Sequence, residues 1–269
     1  MKLAEPSEAG EERREKQDLD YTIRVLDQAV TVLQTLARHS SSTITEIAAE
    51  TGYTKSLVFR ILFTLEKKRL VIKDRSSRTY RLGHRPLALA GKAREQGMLL
   101  QVADPLLDEL ARQGEETVSL VVRDGLNAIY LSVRDSPLPV RLFARTGRRG
   151  PLHAGAGPKV LLAFAPPEVR EAVLRAPLPR YTPATITDPK TLAAVIEHVR
   201  RTGLSENYSD LDNHAFGFAA PIWDRTGSAT AALSVAGALS RLTPDRAELL
   251  KQRVVDYAHS ISNALGWTG

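Results

Sequence analysis

The chain has 269 residues, a net charge of +6 and 43% hydrophobic residues, so it is long enough for two domains that each bury a core. It contains no cysteine, which excludes disulfides, thiol redox chemistry and cysteine-based zinc sites. The longest apolar runs, such as residues 118–122, are too short to span a bilayer, and the charged N-terminus has no apolar signal core. We therefore expect a cytoplasmic protein without a membrane partner.

A polar tail, three helices and a hairpin are predicted in the first 84 residues. Residues 1–20 mix both charges and lack large apolar groups, which is typical of a disordered tail. Apolar residues then recur at helical spacing, and Thr43 with Glu46 fits a capping box that opens the second helix. The predicted helices cover residues 23–37, 43–52 and 54–68, and the predicted strands cover residues 70–73 and 79–82.

Three residues near the crossing of the second and third helices fit a helix-turn-helix. Such a crossing needs a small residue on the first of the two helices, a residue that tolerates positive φ in the turn, and an apolar residue on the second. Ala48, Gly52 and Val58 stand at those offsets. With the hairpin behind them as a wing, residues 21–84 are predicted to form a winged helix-turn-helix that binds DNA.

Positive charge is concentrated in this predicted domain. From Lys55 to Arg85 the chain has ten Lys and Arg and two acids, a net +8, so the remainder of the chain carries −2. A basic segment of this kind favours a double-stranded DNA operator as partner, and a small helical bundle with a solvated basic face is the alternative. The predicted DNA-binding residues are Thr43, Thr54, Lys55, Ser56, Phe59, Arg60, Arg75 and Arg78.

These side chains suit different parts of a duplex. The N-terminal end of the third helix is expected in a major groove, where Lys55 or Arg60 pairs with guanine edges. Thr54 and Ser56 are expected to hold phosphates, and an arginine at the hairpin tip, residues 75–78, is expected to enter a minor groove. Affinity that depends on such contacts falls as the salt concentration rises.

The rest of the chain predicts a helical connection and a second domain of the α+β class. Residues 85–114 are mostly helical in pattern and are predicted to form a linker and the leading helix of the next domain. Period-two patterning begins at Thr117 and indicates a mixed domain over residues 115–269. The predicted strands cover residues 117–125, 127–133, 139–145, 216–223 and 228–237, and the predicted helices cover residues 166–175, 188–202 and 243–265.

No catalytic constellation can be assembled from the residues. The six histidines are scattered, and the sequence patterns of zinc proteases, serine hydrolases and phosphate-binding loops do not occur. The segment from Gly155 to Lys159 lacks the Gly-Lys step and the hydroxyl of a phosphate loop, and it predicts a strand-to-helix turn. We expect no enzyme activity, cofactor or metal; a small-molecule enzyme with an accessory helical domain is the alternative.

Three stretches together resemble the IclR family of bacterial transcription regulators. Residues 25–83 are similar to its winged-helix domain, GRRGPLHAGAGPKVLLAF resembles a loop and helix of the family, and FGFAAPIWDRTGSATAALSVAG resembles the end of its effector domain. The resemblance covers roughly residues 21–266. It implies a GAF-like effector domain with a central antiparallel sheet flanked by helices. It also implies homodimers or homotetramers, and a small carboxylate or aromatic effector.

The resemblance also implies where the effector binds. Backbone N–H groups at residues 154–157 can approach an anion, and two phenylalanines on one strand face either pack the effector or belong to the core. Asp210 either joins the site or caps a turn with Asn213, and His153 is expected to be structural. The implied effector-binding residues are Ala154, Gly155, Ala156, Asp210, Asn213, His214, Phe216, Phe218 and Ser234.

Several residues depart from the family pattern. Arg69 stands where glycine is usual near the end of the third helix, and the other departures are Gly155, Pro158, Asp210, His214 and Ala236. They predict an effector pocket that either differs in polarity or is little used.

The predicted function is a sequence-specific transcription regulator, repressor or activator, under the control of a small molecule. Effector binding in residues 115–269 is expected to change the spacing of two DNA-binding heads through residues 85–114. Two heads on a palindrome must lie about 34 Å apart, one turn of the duplex. An effector-free, oligomeric DNA-binding protein is the other interpretation that the residues leave open.

Overall fold

The computed structural model describes residues 22–139 and 144–269. The chain divides into two compact units, one ending at Arg94 and the other starting at Glu95. The tail predicted at residues 1–20 and most of the strand predicted at residues 139–145 lie outside the described residues. No helix in the described part of the chain is long and apolar enough to cross a membrane.

The N-terminal unit is a three-helix bundle followed by a hairpin, which is the winged helix-turn-helix that the sequence predicts. Its core consists of apolar side chains contributed by all three helices and by the hairpin, including Val32, Ile47, Val58 and Leu62, all fully buried. The two strands pair antiparallel, with Ile72 opposite Arg81. The elements are α1 Arg24–Arg38, α2 Ile44–Thr51, α3 Lys55–Lys67, β1 Val71–Lys73, β2 Tyr80–Leu82 and the start of α4 Arg85–Gln96.

Two chain reversals fix the arrangement of this unit. Gly52 ends α2 with φ +72°, a left-handed conformation that glycine adopts without steric cost, and this turn leads into α3. Arg69 lies in the turn after α3 and has φ +58°. Glycine is the usual residue with this left-handed conformation at the end of a helix. A Cβ on Gly83 would overlap the backbone carbonyl oxygen of Arg69, so the hairpin can approach the end of α3 only with glycine there.

The C-terminal unit is built on a six-stranded antiparallel sheet with strand order β5-β4-β3-β8-β7-β6. Its strands are β3 Thr117–Asp124, β4 Asn127–Arg134, β5 Arg149–Pro151, β6 Ser205–Tyr208, β7 Ala215–Trp223 and β8 Ala229–Ala238. The two edge strands, β5 and β6, are absent from the sequence prediction because neither alternates apolar with polar residues. The helices are α5 Met98–Gly114, α6 Ala156–Ala163, α7 Pro167–Arg175, α8 Pro189–Thr202 and α9 Pro244–Ala264.

Helices cover both faces of this sheet, and each face has its own core. On one face α5 and α9 pack against alternate residues of β3, β7 and β8, such as Leu120, Phe218 and Leu233. On the other face α6, α7 and α8 pack against Ala219 and Ala232, among others. Because successive strand residues point to opposite faces, the apolar runs of β7 and β8 fill both cores.

The helical region predicted at residues 85–114 is broken at Gly97 into α4 and α5. Helix α5 is part of the C-terminal unit, since its Ala103, Leu107 and Leu110 are fully buried in that unit's core. Arginines of α9 cap its last carbonyl groups, including that of Gly114. Only the first part of the predicted linker therefore lies outside the second domain.

A buried acid joins the end of α5 to the rest of the C-terminal unit. Glu116 is fully buried and accepts hydrogen bonds from the guanidinium groups of Arg241, at 2.6 Å, and Arg246, at 3.2 Å. Its carboxylate occupies the space beside Gly237, where any Cβ would overlap it. The charge of the carboxylate is thus compensated, as burial requires.

Candidate functional site

Helix α3 presents one polar, cationic and aromatic face to solvent. Its opposite side is buried in the core of the N-terminal unit through Val58, Ile61, Leu62 and Leu65. The exposed side, here called the outward face, carries side chains three and four residues apart: Ser56, Phe59, Arg60, Phe63 and Lys67. Phe63 and Lys67 were not among the residues predicted from the sequence.

Helix α3 starts within one residue of the predicted position. Thr54 is the N-cap, and its hydroxyl accepts a hydrogen bond from the backbone N–H of Leu57 at 3.3 Å. Lys55 and Ser56 follow in the first turn and are exposed. Among the residues that the structure describes, neither Lys55 nor Arg60 has an ion-pair partner, so both cations are available to an external anion.

Thr43 is engaged within the fold. Its hydroxyl accepts from the backbone N–H of Glu46 at 3.3 Å, and the Glu46 carboxylate accepts from the backbone N–H of Thr43 at 2.7 Å. These reciprocal bonds are the predicted capping box, and the bonds that the carboxylate accepts from the backbone and hydroxyl of Thr43 lower the pKa of Glu46. The structure thus assigns the Thr43 side chain to the start of α2.

The hairpin tip holds two exposed arginines on a tightly bonded turn. Asp74 accepts hydrogen bonds from the backbone and hydroxyl of Ser76, at 2.8 and 2.6 Å, and these bonds lower the pKa of its carboxyl group. Arg75 and Arg78 project from this turn, and Arg78 has φ +56°. Between the hairpin and α3 lies an open groove of about 550 Å³, lined by Ile44, Phe59, Phe63, Glu66, Lys73, Arg75, Arg78 and Tyr80.

A small polar cavity lies in the C-terminal unit between the sheet and the start of α6. Its volume is about 40 Å³. Hydroxyl-bearing side chains from three strands line it, together with a guanidinium group and the turn before α6. The lining residues are Thr117, Ser119, Tyr130, Ala144, Arg148, Gly155, Ala156, Gly157, Asn207, Leu211, Asp212, Ala215, Phe216, Gly217, Ser234 and Ala236.

A buried ion pair holds the turn beside this cavity. The Asp210 carboxylate accepts from the backbone N–H of Gly155 at 2.8 Å and from Lys159 Nζ at 2.8 Å. The two charged side chains are only 5% and 4% exposed. Lys159 Nζ also donates to the backbone carbonyl of Glu206 at 3.2 Å, so α6 is joined to β6. Gly155 has φ +90°, which explains a glycine at this departure from the family pattern.

The structure brings together some of the implied effector-binding residues and separates others. Gly155, Ala156 and Ser234 line the cavity, and Phe216 borders it. Asp210 lies behind the turn and Ala154 is buried without lining the cavity. Among the described residues, Asn213, His214 and Phe218 do not line it: the first two are exposed and the third lies in the other core.

The structure shows where the side chains lie in two alternatives that the sequence left open. The rings of Phe216 and Phe218, 5.3 Å apart, pack in the core under α5 and α9. Asp210 does not cap a turn with Asn213 among the described contacts; its N–H instead donates to Asn207 Oδ1 at 3.2 Å.

His153 is buried, and its Nε2 lies 2.9 Å from the Pro179 carbonyl oxygen, which fits the structural role expected for it.

The cavity contains polar residues that the sequence did not predict. Arg148 lies 6.0 Å from the centre of the Tyr130 ring. Burial raises the pKa of Tyr130, and the positive charge of Arg148 partly opposes that rise. The phenol therefore stays neutral and can donate a hydrogen bond, and hydroxyls of Thr117, Ser119 and Ser234 supplement it. The lining thus holds one cation, Arg148, one carboxylate, Asp212, and several neutral donors. The cation and the donors suit a small anion such as a carboxylate on the side of the cavity away from Asp212.

In the described residues there is no cluster of three or more His, Cys, Asp or Glu side chains placed to hold a metal ion.

Comparisons with known families match both units. Residues 25–75 match the IclR helix-turn-helix domain, and residues 92–263 match the C-terminal domain of bacterial transcriptional regulators of the IclR type. The two matches occur in the same order as the two units and together cover most of the chain.

Individual relatives are similar over nearly their whole length. The HTH-type transcriptional regulator KipR of Bacillus subtilis is 33% identical over 90% of this chain and 96% of its own. The transcriptional repressor AllR of Escherichia coli is 32% identical over 90% of each chain.

Solved structures agree with these matches. An IclR transcriptional regulator from Alicyclobacillus acidocaldarius is 27% identical, with a TM-score of 0.85 over 91% of this chain and all of the other. An IclR homologue from Microbacterium hydrocarbonoxydans, solved in complex with 4-hydroxybenzoate, is 28% identical, with a TM-score of 0.77 over 90% of this chain and 98% of the other.

Proposed function

Since this chain belongs to the IclR family of transcriptional regulators, we propose that its N-terminal unit binds a double-stranded DNA operator through the outward face of α3 and the hairpin tip. The family and its named members are regulators and not enzymes. The observation that carries the proposal is the exposure of Lys55, Arg60, Arg75 and Arg78 on one compact domain whose segment from residue 55 to 85 has a net charge of +8.

Each exposed group has a role in this proposal. Arg60 and Lys55 contact guanine edges in the major groove, and Ser56 with the exposed cap Thr54 contacts phosphates. Arg75 and Arg78 at the wing enter the adjacent minor groove. A DNA partner also places the protein in the bacterial cytoplasm.

Binding to DNA can be tested by fluorescence anisotropy with the duplex upstream of the protein's own coding sequence. The Kd should rise steeply with salt concentration, because released counterions favour the complex. Lys55→Ala and Arg60→Ala should each weaken binding to the operator more than to random DNA, because both side chains are proposed to read guanine edges.

A matched control is Arg201→Ala, which removes the same charge from an exposed position on α8. Arg60→Ala and Arg201→Ala with equal effects, or binding that is insensitive to salt, would contradict the proposed interface.

For the C-terminal unit we propose a small carboxylate as the effector. The cavity has room for about three water molecules. A carboxylate group can occupy the same volume when it displaces those waters. Arg148 and the hydroxyls of Ser119 and Ser234 then bind its oxygens, and the N–H groups of the turn at residues 155–157 supply further donors. The Microbacterium relative, whose bound 4-hydroxybenzoate is also a carboxylate, supports this class of ligand.

The effector proposal is tested by titrating a panel of small carboxylates into the protein–operator complex. We expect one class to change operator affinity, and Arg148→Gln to abolish that response while operator binding without effector persists. Arg149→Gln is the matched control because Arg149 pairs with Asp124 on the surface and does not line the cavity. Tight operator binding with no response to any carboxylate would favour an effector-free regulator.

The protein is further proposed to act as a homodimer or homotetramer, as a repressor or an activator. Two heads reading one palindrome need two copies, and α4 connects each head to its effector domain, which begins with α5. The effector then changes operator affinity only to the extent that it binds one arrangement of the heads better than the other. Light scattering with and without operator checks the number of copies, and a monomer on the operator would contradict this proposal.

A further inference from the structure

Two phenylalanines stand exposed on the helix proposed to enter the major groove. Phe59 and Phe63 are 48% and 49% exposed, although the core of the same domain buries other large apolar side chains completely. Their rings stack with centroids 6.3 Å apart, one helical turn from each other. Together they form an apolar patch, here called the phenylalanine pair, in the middle of the outward face.

Positive charge surrounds the phenylalanine pair. Lys67 Nζ lies 4.6 Å from the centre of the Phe63 ring, and Arg60 is on the same face of α3. Across the groove are Lys73 and two further cations, Arg75 and Arg78, whereas Glu66 is the one acidic side chain among the groove's lining residues that the structure describes. The occupant of this surface must therefore combine an apolar group with nearby negative charge.

A major groove that contains thymine meets both conditions. The C5-methyl of thymine is the apolar group on the base edges of that groove, and phosphates flank it on both sides. Phenylalanine is one of the side chains that contact this methyl, and it can do so without a hydrogen-bond partner.

We propose that the phenylalanine pair determines operator specificity by contacting thymine C5-methyl groups, with Phe63 acting beside Phe59. The inference rests on the proposed DNA binding and goes beyond it, because it names a base, an atom and a second residue. Burying one methyl group is worth about a fourfold change in Kd, so two contacted methyl groups together are worth about 15-fold.

The test removes the methyl group and nothing else. The full-length protein first selects its preferred duplex from a random library, and each thymine of that duplex is then replaced singly by deoxyuridine. Anisotropy at fixed salt should show a Kd about fourfold higher at one or two positions in each half-site, and no change at the others.

Variants assign the effect to the side chains. At the base position that each wild-type phenylalanine contacts, the corresponding alanine variant, Phe59→Ala or Phe63→Ala, should bind the thymine and deoxyuridine duplexes with equal Kd. Phe63→Leu should keep part of the preference for thymine. Arg60→Ala is the matched control on the same face, since it should weaken binding to both duplexes and leave their ratio intact. Circular dichroism checks that each variant is folded. We expect all of them to fold, because the substituted side chains are exposed.

Several results would overturn the inference. These are a selected duplex without preferred thymines, equal Kd for all single deoxyuridine duplexes, or a thymine preference that persists in both alanine variants. An alanine variant that binds DNA as tightly as wild type would instead point to a protein partner for the pair. In all these outcomes the protein still binds DNA. A protein that binds no DNA even at low salt would instead refute the proposed function itself.

Discussion

The ion pair between Lys159 and Asp210 allows a quantitative test of how the turn beside the cavity is held. Both side chains are about 95% buried, and each keeps one further hydrogen bond, to Glu206 and Gly155 respectively. Removing one partner leaves an uncompensated charge in the interior, a change that costs about 3–5 kcal/mol. We expect Lys159→Met and Asp210→Asn each to lower the free energy of unfolding by about 3 kcal/mol, because one hydrogen bond to the surviving charge remains.

The double variant separates the charge effect from loss of packing. Lys159→Met with Asp210→Asn leaves no charge at this site, and the asparagine can still accept from the N–H of Gly155. We therefore expect the double variant to be less destabilised than either single variant, a coupling that independent sites do not show.

Tryptophan fluorescence suits this measurement, since the only two tryptophans of the chain, Trp223 and Trp267, both lie in the C-terminal unit. With a slope of about 2 kcal/mol per M urea, a loss of 3 kcal/mol lowers the unfolding midpoint by about 1.5 M. Lys190→Met, on the exposed side of α8, serves as a control that should change stability by less than about 0.5 kcal/mol. Additive costs in the double variant, or single variants that resemble the control, would refute the reasoning.

Three further predictions concern local structure. Thr43→Ala should cost about 1 kcal/mol in thermal unfolding followed by circular dichroism, because it removes the cap of α2, whereas Thr43→Ser should not. Gly83→Ala should cost about 1–3 kcal/mol in the same assay through overlap with the Arg69 carbonyl, and unchanged stability would contradict that overlap. Hydrogen bonds from Thr191 lower the pKa of Asp188 from 3.8, so its stabilisation is complete above pH 3.8 and is lost as the pH falls through the lowered value. Acid titrations should be steeper below pH 3.8 for wild type than for Asp188→Asn, and parallel curves would show that this carboxylate does not contribute.

Local sequence signals were sufficient for the N-terminal unit. The helix predicted over residues 54–68 is observed over Lys55–Lys67, because a threonine cap and a 3.6-residue apolar period are both local properties. The same period indicated that Phe59 is exposed, and it extends to Phe63 four residues later. Phe63 lies one turn beyond Phe59, outside the N-terminal end of the helix to which the predicted major-groove contacts were confined.

The cavity of the C-terminal unit depends on strand pairing, which local patterns do not specify. Ser119 and Ser234 are direct cross-strand partners, although 115 positions separate them in the chain. Alternation correctly placed Phe216 and Phe218 on one face of β7, but which face meets the cavity follows only from the packing of α5 and α9. His214 has φ +60°, in a turn that leaves its side chain in solvent.

The buried carboxylate of Glu116 has a mechanical consequence for regulation. Its arginine partners hold the end of α5, while the next residue, Thr117, forms part of the cavity wall. Only two residues separate Gly114 from Thr117, and both are held by hydrogen bonds: the carboxylate of Glu116 accepts from its arginines, and the carbonyl of Glu115 accepts from the hydroxyl of Ser136. We therefore expect that a molecule that displaces Thr117 would also displace the end of α5, because the chain between them is short and hydrogen-bonded on both sides.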